Sequence, residues 1–265
     1  MFGRLPQSGD RVRSVPLNDS SADKHMNDGQ PTDCMIYLLH ASLEHCGWHK
    51  LIDLLCDGER RRADAFILER DARRLIVSHA VLRAVMGRAT GVPAREIKFG
   101  ARRGVKPVLE SSPSRPTHFS VSRSEELVLI GVASRPLGVD IEWLGRTFDV
   151  QELGKDVLSP REQEAFEQLC LADQREAFFR CWTQKEAYLK AIGTGLYVPP
   201  DAVEVNLHSG SAGLKSIFGD TDAAARWFVD IVRPRQDYIA AVAISGSQWR
   251  VTMNAFDTSC LRVSV

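Results

Sequence analysis

The 265-residue sequence has no excess charge of either sign: 34 Lys and Arg offset 34 Asp and Glu. A nucleic-acid binder usually carries a basic surplus, so that class is set aside. Its six cysteines (Cys34, Cys46, Cys56, Cys170, Cys181 and Cys260) include no C-x-x-C pair. A disulfide framework does not suit so long a chain, and a reducing, cytoplasmic setting fits better. There is no long apolar run. The best, Leu127 to Ala133, is far too short to cross a bilayer, so no membrane partner is expected. The first thirty-odd residues lack the apolar stretch of a signal peptide, and residues 1–32 read as a flexible tail.

What remains is an ordinary globular composition, 44% hydrophobic. Order is expected from the strand Met35–Leu39. Helices are predicted over Glu59–Glu69 and Asp71–Arg88, the second with Leu75, Leu82, Val85 and Met86 at helical spacing. Extended chain follows over Ile97–Leu109, broken by a turn near Gly104. Strands Thr117–Ser122, Leu127–Ala133 and Leu137–Trp143, joined by short turns, predict an antiparallel meander.

Ser159, Pro160 and Glu162 form a capping box that opens a second helical region, and Gln174–Ile192 is a helix stopped by Gly193. Ala202–Leu207, Arg226–Val232, Tyr238–Ile244 and Trp249–Ala255 read as strands. The order helices, strands, helices, strands predicts an α+β fold of two similar halves, 33–135 and 136–265, each an antiparallel sheet packed on helices.

Two segments carry chemistry. In Gly138-Val139-Asp140-Ile141-Glu142 the strand period of two puts Asp140 and Glu142 on one face. Paired carboxylates suit a hard cation such as Mg²⁺, though a solvated strand face would look the same. In the helix from Trp182 to Lys190, Trp182, Glu186 and Lys190 lie four apart on one face. His40, His45, Cys46 and His49 crowd together without a second ligand pair and are not read as a zinc site. Phe178, Phe179 and Trp227 read as core.

Together these segments resemble the Sfp-type 4′-phosphopantetheinyl transferases. The family's G-[VI]-D-I-E is matched by Gly138–Glu142, and its W-[ST]-x-K-E-[AS]-x-x-K-x-x-G-x-G-L by Trp182–Leu196. His118–Ser122 matches a weaker upstream motif. The resemblance implies a pseudodimer of two similar α+β halves with coenzyme A in the cleft between them. It implies Mg²⁺ as cofactor, held by Asp140, Glu142 and Glu186. Glu186 would act as base on the serine of an apo carrier protein, acyl or peptidyl, and Lys190 would act on the pyrophosphate. Arg62, Lys106, Ser122, Arg123 and Lys190 would contact coenzyme A, the enzyme acting as a monomer. The chain departs from the pattern at Arg123 (usually His), Ser120 (usually Asn), Val105 (usually Gly) and Glu59 (often basic). The alternative weighed beside it is a metal-dependent phosphodiesterase, which favours a lysine just after the acidic pair. Trp143 and Leu144 stand there instead.

Overall fold

The computed structural model describes residues 34–258 and 261, apart from 45–46, 101–105, 111–115, 195–197 and 208–211. The N-terminal tail, the turn at Gly104–Val105, His45, Cys46 and Gly195–Leu196 lie outside the described residues.

The chain enters on β1 (Met35–Ser42), followed by a 3₁₀ turn and helix α1 (Asp57–Asp64). The predicted helix 59–69 ends early. Leu68 is extended, and Phe66, Ile67 and Leu68 are exposed by 45%, 99% and 54%. Nothing in the composition announces this break, since no Gly or Pro stands there. Helix α2 (Glu69–Thr90) buries Leu75, Leu82, Val85 and Met86, and Gly91 ends it at φ 74°, a left-handed conformation only Gly adopts freely. Short strands β2 (Phe99–Gly100) and β3 (Val108–Leu109) pair with each other. They lead to β4 (His118–Ser124), β5 (Leu127–Ala133) and β6 (Leu137–Trp143).

The meander holds for β4 and β5 and fails at β6. Both edges of β5 are already taken, by β1 and β4, so β6 has no edge to join. It pairs instead with β10 (Tyr238–Ser245), which pairs with β9 (Trp227–Val232). Between β6 and β9 come α3 (Val150–Val157), α4 (Pro160–Glu167), α5 (Leu171–Ile192), β7 (Val203–Val205), β8 (Leu214–Ile217) and α6 (Thr221–Ala225). The capping box is present: Ser159 N–H donates to Glu162 at 2.8 Å and Ser159 Oγ accepts from Glu162 N–H at 3.3 Å.

With the last strand, β11 (Arg250–Ala255), two main sheets result, ordered β11-β1-β5-β4 and β6-β10-β9. The first is mixed, not antiparallel as expected, because β11 returns to run parallel to β1. Ile36, Leu38, Leu127 and Leu129 of one sheet meet Val139, Ile141, Ala240 and Val242 of the other in a single buried cluster. Fully burying each branched chain there contributes about 1.5–3 kcal/mol. Helix α2 covers the first sheet and α5 the second. Among the described residues, no helix is long and apolar enough to cross a membrane.

Candidate active site

Strand β6 is driven into place by its alternate residues. Val139 and Ile141 are fully buried between the sheets, so Gly138, Asp140 and Glu142 face helix α5. The approach is close: a Cβ on Gly138 would sit 1.9 Å from the carbonyl oxygen of Ala187. Only Gly lets α5 lie so near, and this contact brings Trp182, Glu186 and Lys190 over the carboxylates.

Asp140 is 3% exposed. Its Oδ1 accepts from Lys190 Nζ at 2.5 Å and from Ser122 Oγ at 2.8 Å. Its Oδ2 is buried and has no hydrogen-bond partner among the described residues. A buried carboxylate oxygen without a donor costs free energy, on the order of 1–3 kcal/mol, so this atom is poised to take a ligand. Glu142 Oε2 accepts from Ser124 Oγ at 2.9 Å and pairs with Arg146 at 3.2 Å, while Oε1 accepts from the Trp182 indole at 3.3 Å. Burial raises the Glu142 pKa, and the Asp140 charge raises it further, against Arg146, Ser124 and Trp182. Glu186 is also raised by burial and then by Asp140, with Lys190 opposing. Two carboxyl groups that burial makes harder to ionise, beside an unpartnered oxygen, form a site that gains from a bound cation.

Lys106 reaches the site from the chain just before β3. Its Nζ donates to the carbonyls of Leu137 and, at 3.2 Å, Lys190. Burial, with the Lys190 charge second, lowers its pKa to about 8. Beside it Pro107, His118, Phe119, Pro136 and Ala191 line a cavity of about 540 Å³.

Two family models match the chain: the 4′-phosphopantetheinyl transferase superfamily over residues 136–243, and the 4′-phosphopantetheinyl transferase N-terminal model over 43–136. The 4′-phosphopantetheinyl transferase HetI of Nostoc is 31% identical over 198 residues, covering 74% of this chain and 81% of that protein. The chain belongs to the 4′-phosphopantetheinyl transferase superfamily. The 4′-phosphopantetheinyl transferase Sfp of Bacillus subtilis is 27% identical over 160 residues, covering 60% of this chain and 69% of that protein. A holo-[acyl-carrier-protein] synthase of Thermotoga maritima superposes with a TM-score of 0.33 at 21% identity, over 42% of this chain and 62% of that one. That likeness is too partial to bear on the fold. The family and the enzyme class drawn from the motifs are borne out.

In this transferase the residues singled out from the sequence fall into two groups. Ser122, Asp140, Glu142, Glu186, Lys190 and Lys106 gather around α5 and β6. Arg123 lies on the opposite face of β4 from Ser122 and donates to Ser78 Oγ on α2 at 2.9 Å. Burial lowers its pKa and so, second, does the charge of Arg62. Glu59, where the family is often basic, is buried and structural: it accepts from Arg83 at 2.7 Å, from His79 at 2.8 Å and from Cys56 N–H at 2.9 Å.

Three features escaped sequence reasoning. Lys185, inside the helical motif, is fully buried and paired with Glu162 at 2.5 Å. Arg146 pairs with Glu142. Ser124 reaches the site although it was read only as part of a turn. The period-two serines Ser120, Ser122 and Ser124 were the available signal. Among the described residues no three His, Cys, Asp or Glu side chains close into a metal cage, at His40 and His49 or elsewhere.

Proposed function

We propose that this transferase moves the 4′-phosphopantetheine group of coenzyme A onto a serine of an apo carrier protein, releasing 3′,5′-ADP, in a cleft between the two halves of the chain. The observation that carries this reading is the buried, unpartnered Asp140 Oδ2 beside Glu142, Glu186 and Lys190. That donor set fits Mg²⁺, which takes a few carboxylates together with phosphate oxygens and water instead of a closed protein cage. Asp140, Glu142 and Glu186 would hold the ion, which supplies neutralising charge at the pyrophosphate.

The chain's own residues do the rest. Phosphoryl transfer needs positioning and charge more than covalent help. Glu186, whose carboxylate pKa is raised, accepts the proton of the carrier serine as its Oγ forms a P–O bond. The P–O bond to 3′,5′-ADP breaks, and Lys190 stabilises the charge left on the leaving group. Lys106 keeps one of its three N–H donors for phosphate after binding two carbonyls. Arg62 and Arg123 offer a second cationic patch for the nucleotide end.

The same reading takes the chain as two copies of one α+β unit. Its support is topological: strand, helix, short hairpin and two strands give the order β1-β5-β4, then again β6-β10-β9. Both long helices have 22 residues and end on a left-handed Gly. One chain then supplies both walls of the cleft, so a monomer suffices.

The test incubates purified protein with coenzyme A, Mg²⁺ and apo carriers of the acyl and peptidyl kinds. Mass spectrometry should show one carrier gaining one phosphopantetheine group, and no gain when its acceptor serine is alanine. Carriers that all stay apo, with a folded enzyme, would sink the reading.

A further inference from the structure

No backbone ladder joins β4 to β6, which belong to different sheets. Serines at every second residue of β4 reach across in its place. Ser120 Oγ accepts from Val139 N–H at 3.1 Å. Ser122 Oγ accepts from Lys190 Nζ at 3.1 Å and donates to Asp140 Oδ1 at 2.8 Å. Ser124 Oγ accepts from Trp143 N–H at 2.9 Å and donates to Glu142 Oε2 at 2.9 Å.

A hydroxyl has one proton and two lone pairs. The backbone N–H of Trp143 can only donate, so it takes a lone pair of Ser124. The Ser124 proton is then directed at Glu142. The indole N–H of Trp182, also donor only, holds the other Glu142 oxygen at 3.3 Å. One donor stands on β4 and one on α5, so the terminal torsion of Glu142 is fixed from both walls. Ser124 is 2% exposed, and the Trp182 ring stacks on Phe178 with centroids 6.5 Å apart, so neither donor is free to drift.

We propose that Ser124 and Trp182 are positioning residues that fix the Glu142 carboxylate for a divalent cation. This rests on the metal reading above. Ser120 is the built-in control, because among the described residues its Oγ contacts the backbone of β6 and no carboxylate. A ladder that served only to join the sheets would make all these positions equivalent.

The experiment measures Mn²⁺ binding by electron paramagnetic resonance in the intact chain with saturating coenzyme A, for Ser124→Ala, Ser124→Thr, Trp182→Phe and Ser120→Ala. Groups that orient metal ligands typically shift affinity by about 10–100-fold. Ser124→Ala and Trp182→Phe should weaken Mn²⁺ binding at least about 10-fold and lower kcat, with the KM for coenzyme A little changed. Ser124→Thr, which keeps the hydroxyl, should restore most of the affinity. Ser120→Ala should lose thermal stability and keep parental Mn²⁺ affinity. Parental affinity in both Ser124→Ala and Trp182→Phe overturns the proposal and leaves the metal reading standing. If Ser124→Ala does not fold, parental affinity in Trp182→Phe overturns it alone. A parent protein that binds no Mn²⁺ overturns the metal reading and this proposal with it.

Discussion

The stretch from β1 to β5 and the stretch from β6 to β10 carry the same kind of buried ion pair and differ in what lies beside it. In the first, Glu59 at the start of α1 meets Arg83, fourteen residues beyond the first residue of α2. In the second, Glu162 at the start of α4 meets Lys185, fourteen residues beyond the first residue of α5. Both acids also accept the backbone N–H of the residue that caps their helix, at 2.9 and 2.8 Å. Both cations also reach a carbonyl: Arg83 that of Ile97 at 2.8 Å, Lys185 that of Val157 at 2.6 Å. Strand β1 then presents Met-Ile-Tyr-Leu-Leu-His-Ala-Ser, with no carboxylate, whereas β6 presents Asp140 and Glu142.

The contrast separates two uses of charge. Glu162 is fully satisfied, its Oε1 taking the Val205 N–H at 2.6 Å and its Oε2 taking Ser159 and Lys185. Five residues further along the same helix, Lys190 pairs with Asp140 at the same 2.5 Å, yet Asp140 keeps a buried oxygen without a donor. The satisfied pairs hold helices together. The unsatisfied one is where a ligand is expected.

Breaking a satisfied pair should therefore cost stability in either stretch. Arg83→Met and Lys185→Met each take the paired cation from a buried carboxylate, and about 3–5 kcal/mol should be lost. Denaturant titration checks this; a loss in one stretch and none in the other would break the equivalence. The acid branch sharpens it. Burial alone would raise the Glu59 pKa, but hydrogen bonds from His79, Arg83 and Cys56 win and lower it to about 2. A depressed carboxylate stabilises the fold above its unfolded pKa of about 4.5 and loses that contribution as pH falls toward 2. The parent should thus lose stability across this window more steeply than Glu59→Gln, measured by thermal melts at stepped pH.

How much of this was legible in the sequence depends on whether a feature is local. That Asp140, Glu142, Glu186 and Lys190 come together was legible because strand and helix periodicity place side chains by face, and the family motifs sit on those faces. The meander was misread at β6, because the sequence does not show that β1 has already filled the free edge of β5. The return of β11 to β1 was hidden for the same reason, since pairing across more than 200 residues leaves no local pattern. Lys185 sat inside a recognised motif, but its burial depends on Glu162, and only the packed fold brings them together.

On the catalytic side, Glu186→Gln keeps the shape and removes charge and basicity. Turnover should fall on the order of 100-fold, with coenzyme A affinity changing little. Equal losses in both would make Glu186 a binding residue. A smaller effect is expected at the rim. Arg123→Ala should raise the KM for coenzyme A about 10-fold, the scale of one charge-assisted hydrogen bond. Arg123→His should recover part of it, more at pH 6 than at pH 8, because a free histidine titrates near 6.5. A flat calorimetric response in both variants would place Arg123 outside the site. Smallest of all, Ile67→Ser on the exposed link between α1 and α2 should change stability by less than about 0.5 kcal/mol.

The central claim is that the open carboxylate pair of β6, and no satisfied pair, is the reaction centre. Asp140→Asn tests it most directly, since the amide keeps the volume and removes the charge beside Lys190. Release of 3′,5′-ADP is followed at saturating coenzyme A, Mg²⁺ and apo carrier, with folding checked by circular dichroism. The account predicts a rate at least about 100-fold below the parent and an unchanged spectrum. A folded Asp140→Asn enzyme that turns over at the parental rate would contradict it.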